Sequence, residues 1–147
     1  MGFFINVMFY LALSVFSAGL FAQSLDPVKF DLVTLSVNAK TVKLEYAHSF
    51  KQRARGLMHR ESMCGQCGML FNFKQIKRAS MWMKNTLIPL DVAFIRKDGV
   101  ITDIKTMQAH DLTPVGSSEE VLYAWEMNVG WFKENAIAVG DTVFIQP

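Results

Sequence analysis

The stretch LDVAFIRKDGVITDIKTM, residues 90–107, places two apolar runs on either side of Asp98-Gly99. Asp-Gly readily takes the positive φ values that a tight hairpin turn demands, so the two runs are expected to pair as antiparallel strands. A second hairpin is expected in FDLVTLSVNAKTVKLEYA, residues 30–47. There Val33, Leu35 and Val37 alternate with Leu32, Thr34 and Ser36, and Asn38-Ala39-Lys40 makes the turn. Val42, Leu44 and Tyr46 then alternate with Lys43 and Glu45. Alternation with a period of two builds strands with one buried and one wet face.

Further strands are expected at GMLFNF (68–73), at SMWMKNT from Ser80, at VLYAWEM (121–127) and at TVFIQ (142–146). Leu87-Ile88-Pro89 reads as a bend, residues 108–120 as a polar loop, and Gly140-Asp141 as a turn. SFKQRARGLMHR (49–60) reads as a helix, with Ser49 and Gln52 at capping-box spacing. Gly56 sits inside that pattern, where another element is expected to approach the backbone closely. Asn128 is expected to cap a second, short helix through Trp131 and Lys133. Strands rarely alternate with helices, which disfavours a βαβ sheet. The expected fold is mainly β, a compact single-domain β-barrel or jelly-roll-like sandwich with one or two short α-helices.

The N-terminal stretch MGFFINVMFYLALSVFSAGLFAQS contains no charged side chain; the first acid is Asp26 and the first base Lys29. It reads as a secretory signal, residues 1–22, with cleavage after Ala22, or as an uncleaved N-terminal anchor. Either reading exports a single β domain, residues 24–147, to the periplasm or beyond. The membrane is then a partner only through an uncleaved N-terminal segment. A net charge of +2 gives no argument for nucleic acid as a partner.

RGLMHR, GMLFNF, MWMKNTLIPLDVAFI with DGVI, and YAWEMNVGWF with AVGD occur in this order along the chain. Together they resemble the uncharacterised family known as domain of unknown function 192, over about residues 30–147. The segment Trp82 to Asp91 is the most specific part. The resemblance implies a single-domain β fold and carries no catalytic activity with it. Its motif positions are Arg55, Gly56, Leu57, Met58, Gly68, Met69, Leu70, Phe71, Trp82, Met83, Lys84, Asn85, Thr86, Pro89, Leu90, Asp91, Glu126 and Gly130.

Among these, Arg55, Lys84, Asn85, Asp91 and Glu126 are polar. With Trp82 at the base they are candidates for one small-ligand pocket, since a few convergent polar groups on an aromatic wall is the usual form of such a site. The competing reading pairs Asp91 with Arg55 or Lys84 as a buried ion pair, and treats Trp82 as a core residue. Cys64 and Cys67 form a Cys-x-x-Cys pair outside the cytoplasm, where a disulfide is expected. A helix before the pair and a strand after it reverse the thioredoxin order. Thiol redox exchange or soft-metal handling remains open, with Cys64, Cys67, His59 and Met63 as weak metal candidates. Copper or zinc would be the metal, although no cofactor is expected. The leading functional expectation is a binding or envelope accessory module for a small polar ligand or envelope component; the sequence leans away from an enzyme without deciding the point. A redox or copper protein is the alternative, and a hydrolase using Asp91 and Glu126 is the weakest reading.

Overall fold

The structure, a computed structural model, describes residues 27–146. The expected signal, residues 1–22, lies outside the described residues. In chain order the elements are β1 (Asp31–Val37), β2 (Lys40–Ala47), α1 (Phe50–Arg55), β3 (Gly68–Lys77), β4 (Ser80–Met81), β5 (Leu90–Ile95), β6 (Ile101–Met107), β7 (Val115–Gly116), β8 (Val121–Asn128), α2 (Trp131–Glu134) and β9 (Val143–Gln146). Seven strands form one sheet in the order β6-β5-β8-β3-β2-β1-β9, and β4 pairs with β7 in a small second sheet. The fold is mainly β with two short helices, as the alternation predicts. No described helix is long and apolar enough to cross a membrane.

The large sheet curls into a half-barrel. Its two edges approach where Val100 bridges Thr142, and the Val143 amide donates to the Gly99 carbonyl at 2.8 Å. The inner face packs Val33, Leu35 and Leu44 from one side of the sheet against Ala93, Ile95 and Trp125 from the other. Helix α2 closes this face with Trp131 and Phe132, whose rings lie 5.3 and 4.9 Å from that of Trp125. The outer face of β3, β5 and β8 is also covered, by a second cluster that includes Met69, Phe71, Val92, Phe94 and Leu57. Burial on both faces explains why LDVAFI is an unbroken apolar run in which all six residues are buried.

One pairing departs from expectation. β2 and β3 run parallel, in register from Glu45↔Met69 to Ala47↔Phe71, with α1 in the crossover between them. A βαβ unit therefore sits inside an otherwise antiparallel sheet. The capping box is present: the Gln52 amide donates to Ser49 Oγ at 3.2 Å, and Gln52 Oε1 accepts from the Ser49 amide at 2.9 Å. The helix is shorter than its pattern, because Gly56 takes a φ of 48° and ends it. A Cβ there would meet the Phe71 ring at 3.2 Å, so the helix end lies directly over β3. Six residues make a marginal helix alone. Arg53 fastens it, with Nη1 donating to the carbonyls of His48 at 2.7 Å and Asn72 at 3.2 Å.

Two local expectations are corrected. The strand expected from Ser80 through Thr86 stops at Met81. Asn85 takes a φ of 53°, and the Thr86 amide donates to the Met83 carbonyl, which is a turn. Asn128 does not cap α2. Gly130 holds that position, and the Asn128 amide instead donates to the carbonyls of Cys64 and Met63 at 3.0 and 3.3 Å.

Candidate functional site

A cavity of about 400 Å³ lies on the outer face of the sheet, between the end of α1 and the start of the β4 turn. The helix and the residues after it supply Arg53, Arg55, Leu57 and Met58; β3 supplies Phe71, Phe73 and Lys77; the turn supplies Met81, Trp82 and Thr86. Glu126 lies on the sheet beneath. It pairs with Met69 on one side and Val92 on the other, and both belong to the outer apolar cluster. Strand alternation therefore aims its carboxyl outward from the half-barrel, into the cavity.

Glu126 is only 4% exposed. Among the described residues, its carboxyl makes no side-chain hydrogen bond or ion pair. Burial alone raises its pKa from the ordinary carboxylate value to about 8. At neutral pH the group is thus mainly the neutral acid, able to donate one hydrogen bond to whatever fills the space. A buried carboxyl with no partner, set in apolar walls and opening on a cavity, makes this the candidate functional site.

The six residues read from the sequence separate. Arg55, Trp82 and Glu126 line the cavity together. Trp82 is 52% exposed and stands on the wall, while Glu126 occupies the floor. Lys84 is exposed, with Nζ 5.4 Å from the Trp82 ring centroid, which places a cation beside the cavity wall. Asn85 is a turn residue whose carbonyl accepts from the His59 amide at 2.8 Å. Asp91 lies on the opposite face of the sheet. Its Oδ1 accepts from Thr106 Oγ1 at 2.6 Å and its Oδ2 from the Gly130 amide at 2.8 Å, and it pairs with neither Arg55 nor Lys84. Asp91 and Glu126 therefore do not face one cleft, which removes the geometry that two-carboxylate hydrolysis needs. Leu57, Met58, Phe71 and Phe73 were motif or core positions in the sequence. Only the parallel crossover, which no local pattern signals, turns them into cavity walls.

Cys64 and Cys67 are at disulfide distance. Their loop is clasped to the end of β8 and to α2, through Asn128 and through Trp131 Nε1, which donates to Gln66 Oε1 at 3.3 Å. His59 lines a different cleft from the cysteines and Met63. Among the described residues, no three His, Cys, Asp or Glu side chains gather as a metal site would require. Closing so short a loop contributes about 2 kcal/mol or less by chain entropy. Cys64→Ser is accordingly expected to lower the unfolding free energy by no more than that in a urea titration. A larger loss would mean that the loop holds the β8–α2 corner together by itself.

The family model for DUF192, described as an uncharacterised ACR, matches residues 33–145. A crystal structure from Sinorhizobium meliloti 1021, provisionally described as a transcription regulator, is similar with a TM-score of 0.77 and 33% identity. That match covers 80% of this chain and 96% of the other. A protein of unknown function from Novosphingobium aromaticivorans DSM 12444 is similar with a TM-score of 0.71 and 28% identity, over 82% of this chain and 89% of that one. No curated protein matches. The matched span runs from β1 to β9 and includes every residue of the cavity, and the chain belongs to the DUF192 family.

Proposed function

We propose that this domain is a small-ligand-binding module, exported by its uncharged N-terminal segment and acting in the cell envelope without catalysing a reaction. The observation that carries this reading is the unpartnered Glu126 at the floor of a cavity of about 400 Å³ with aromatic and methionine walls. That volume lies in the range of small-molecule sites, and one fixed polar group on apolar walls supplies orientation while the walls supply affinity. Methionines at Met58 and Met81 give the walls some adaptability. The cavity faces away from the half-barrel interior, so a ligand can enter without opening the core.

The test is a fluorescence titration with N-phenylnaphthylamine, a neutral apolar probe that brightens when it leaves water. One saturable site is expected. Ala54 is exposed and lines the cavity, so Ala54→Trp should fill the space without disturbing the core. Loss of probe binding in this variant, with an unchanged melting temperature, supports the reading. Absence of saturable binding to the wild-type protein, or binding unaffected by Ala54→Trp, overturns it.

A further inference from the structure

We infer that the cavity takes a small organic anion with a flat apolar body, such as an aromatic carboxylate or sulfonate, whose charged head meets Arg55 at the mouth. The inference rests on the ligand-binding reading and names the ligand class.

Arg55 is shared between the cavity and an adjoining cleft that also contains Lys51, His59 and Arg60. Of the other cations of this region, Arg53, Arg60 and Lys77 have partners, and Lys51, in the adjoining cleft and outside the cavity lining, adds to the positive charge. Arg53 is held by two carbonyls, and Arg60 pairs with Glu45 at 2.6 Å. The Lys77 ammonium sits 5.0 Å from the Phe73 ring centroid. Arg55 has no side-chain hydrogen bond or ion pair among the described residues. The lining acids are two. Glu45 is neutralised by Arg60, and Glu126 is buried without a counter-ion. The uncompensated charge around the site is therefore positive. An amine ligand would meet like charge at the mouth, whereas an anion would find a guanidinium whose paired donors match a carboxylate or sulfonate.

The apolar part of the ligand follows from the walls. Phe50, Phe71, Phe73 and Trp82 present four aromatic rings, with Leu57 between the helix end and the sheet. Such walls favour a planar ring system over a sugar or a highly hydrated ion. With the Glu126 carboxyl mainly protonated at neutral pH, the floor opposes no anion and offers a donor to a distal oxygen of the ligand.

Three probes of similar body separate the possibilities: anilinonaphthalene sulfonate is an anion, N-phenylnaphthylamine is neutral, and naphthylethylenediamine is a cation. The full chain is titrated with each at low salt. The sulfonate is expected to bind about tenfold more tightly than the neutral probe, the scale of one charge-assisted hydrogen bond. Added salt should narrow the gap. Arg55→Gln should erase the preference, while Arg55→Lys, which keeps the charge but loses the paired donors, should retain part of it. Both variants are checked for wild-type unfolding before titration. Equal affinities for the sulfonate and the neutral probe, tighter binding of the amine, or a sulfonate preference that survives Arg55→Gln would each overturn the inference and leave the cavity standing. Failure of all three probes to saturate would instead remove the ligand-binding reading on which it rests.

Discussion

Glu126→Gln is expected to make this protein more stable above pH 8 and to change its stability far less at pH 5. The folded-state pKa of Glu126 is about 8, against an ordinary value of 4.5. Between those values the folded chain holds a proton that the unfolded chain has released. Folding is then coupled to proton uptake, and stability falls as pH rises through this window. The penalty is absent below the unfolded pKa and complete above the folded one. A shift of this size corresponds to a loss on the order of 3–5 kcal/mol across the window, at 1.36 kcal/mol per unit. Glutamine copies the shape of the neutral acid and cannot ionise, so it removes the penalty. Asp31, Asp98 and Asp111 titrate in a separate, acidic window. Their pKa values are lowered by hydrogen bonds, from His48, Arg96 and Thr113 respectively, and what they contribute is lost as pH falls. The difference between wild type and variant cancels them. Urea titrations of both proteins at several pH values between 5 and 9 provide the measurement. If Glu126→Gln were destabilising at pH 7, the carboxyl would have to be ionised and paired, and the neutral floor of the cavity would be wrong.

The sequence makes Glu126 visible as an acid inside the apolar run VLYAWEM, but not the face on which it lies. Face depends on pairing, and β8 is fixed between β3 and β5, both remote in sequence. The local hairpins β1–β2 and β5–β6 were legible because turn chemistry and alternation act over a few residues. The parallel union of β2 with β3 was not. Its two strands are separated by α1 and the disulfide loop, and nothing in either strand names the other. That union places the end of α1 over Phe71 and so creates the cavity. Asn85 illustrates a different limit. A polar residue after an apolar run resembles a ligand contact, yet its positive φ shows that the backbone of the turn requires it, since asparagine tolerates that conformation. Asn128 likewise has the chemistry of a helix cap. The neighbouring Gly130 turns the chain first, leaving the Asn128 amide free to hold the disulfide loop.

Asp91→Ala is expected to cost about 2–4 kcal/mol of stability while leaving the affinity for N-phenylnaphthylamine intact. Asp91 is 7% exposed and faces the half-barrel interior near the β8–α2 corner. Gly130 turns that corner with a φ of 88°, and no side chain of its own segment caps the helix that follows. The Gly130 amide depends on Asp91 for its partner, and so does the Thr106 hydroxyl on the neighbouring strand. Alanine would take away the carboxylate that both donors bond, at the Gly130 amide, which is half-buried, and at the Thr106 hydroxyl, which lies nearer solvent. It would also loosen α2, which drives Trp131 and Phe132 against Trp125. Asparagine should be milder, about 1–2 kcal/mol, because its oxygen can still accept from one donor while its amide faces the other. The order Ala worse than Asn, read from urea midpoints and near-ultraviolet circular dichroism, follows from two accepted hydrogen bonds rather than from an ion pair. If instead either substitution abolished probe binding in a protein that remained fully folded, Asp91 would belong to the ligand site. The division of polar residues between the two faces of the sheet would then fail.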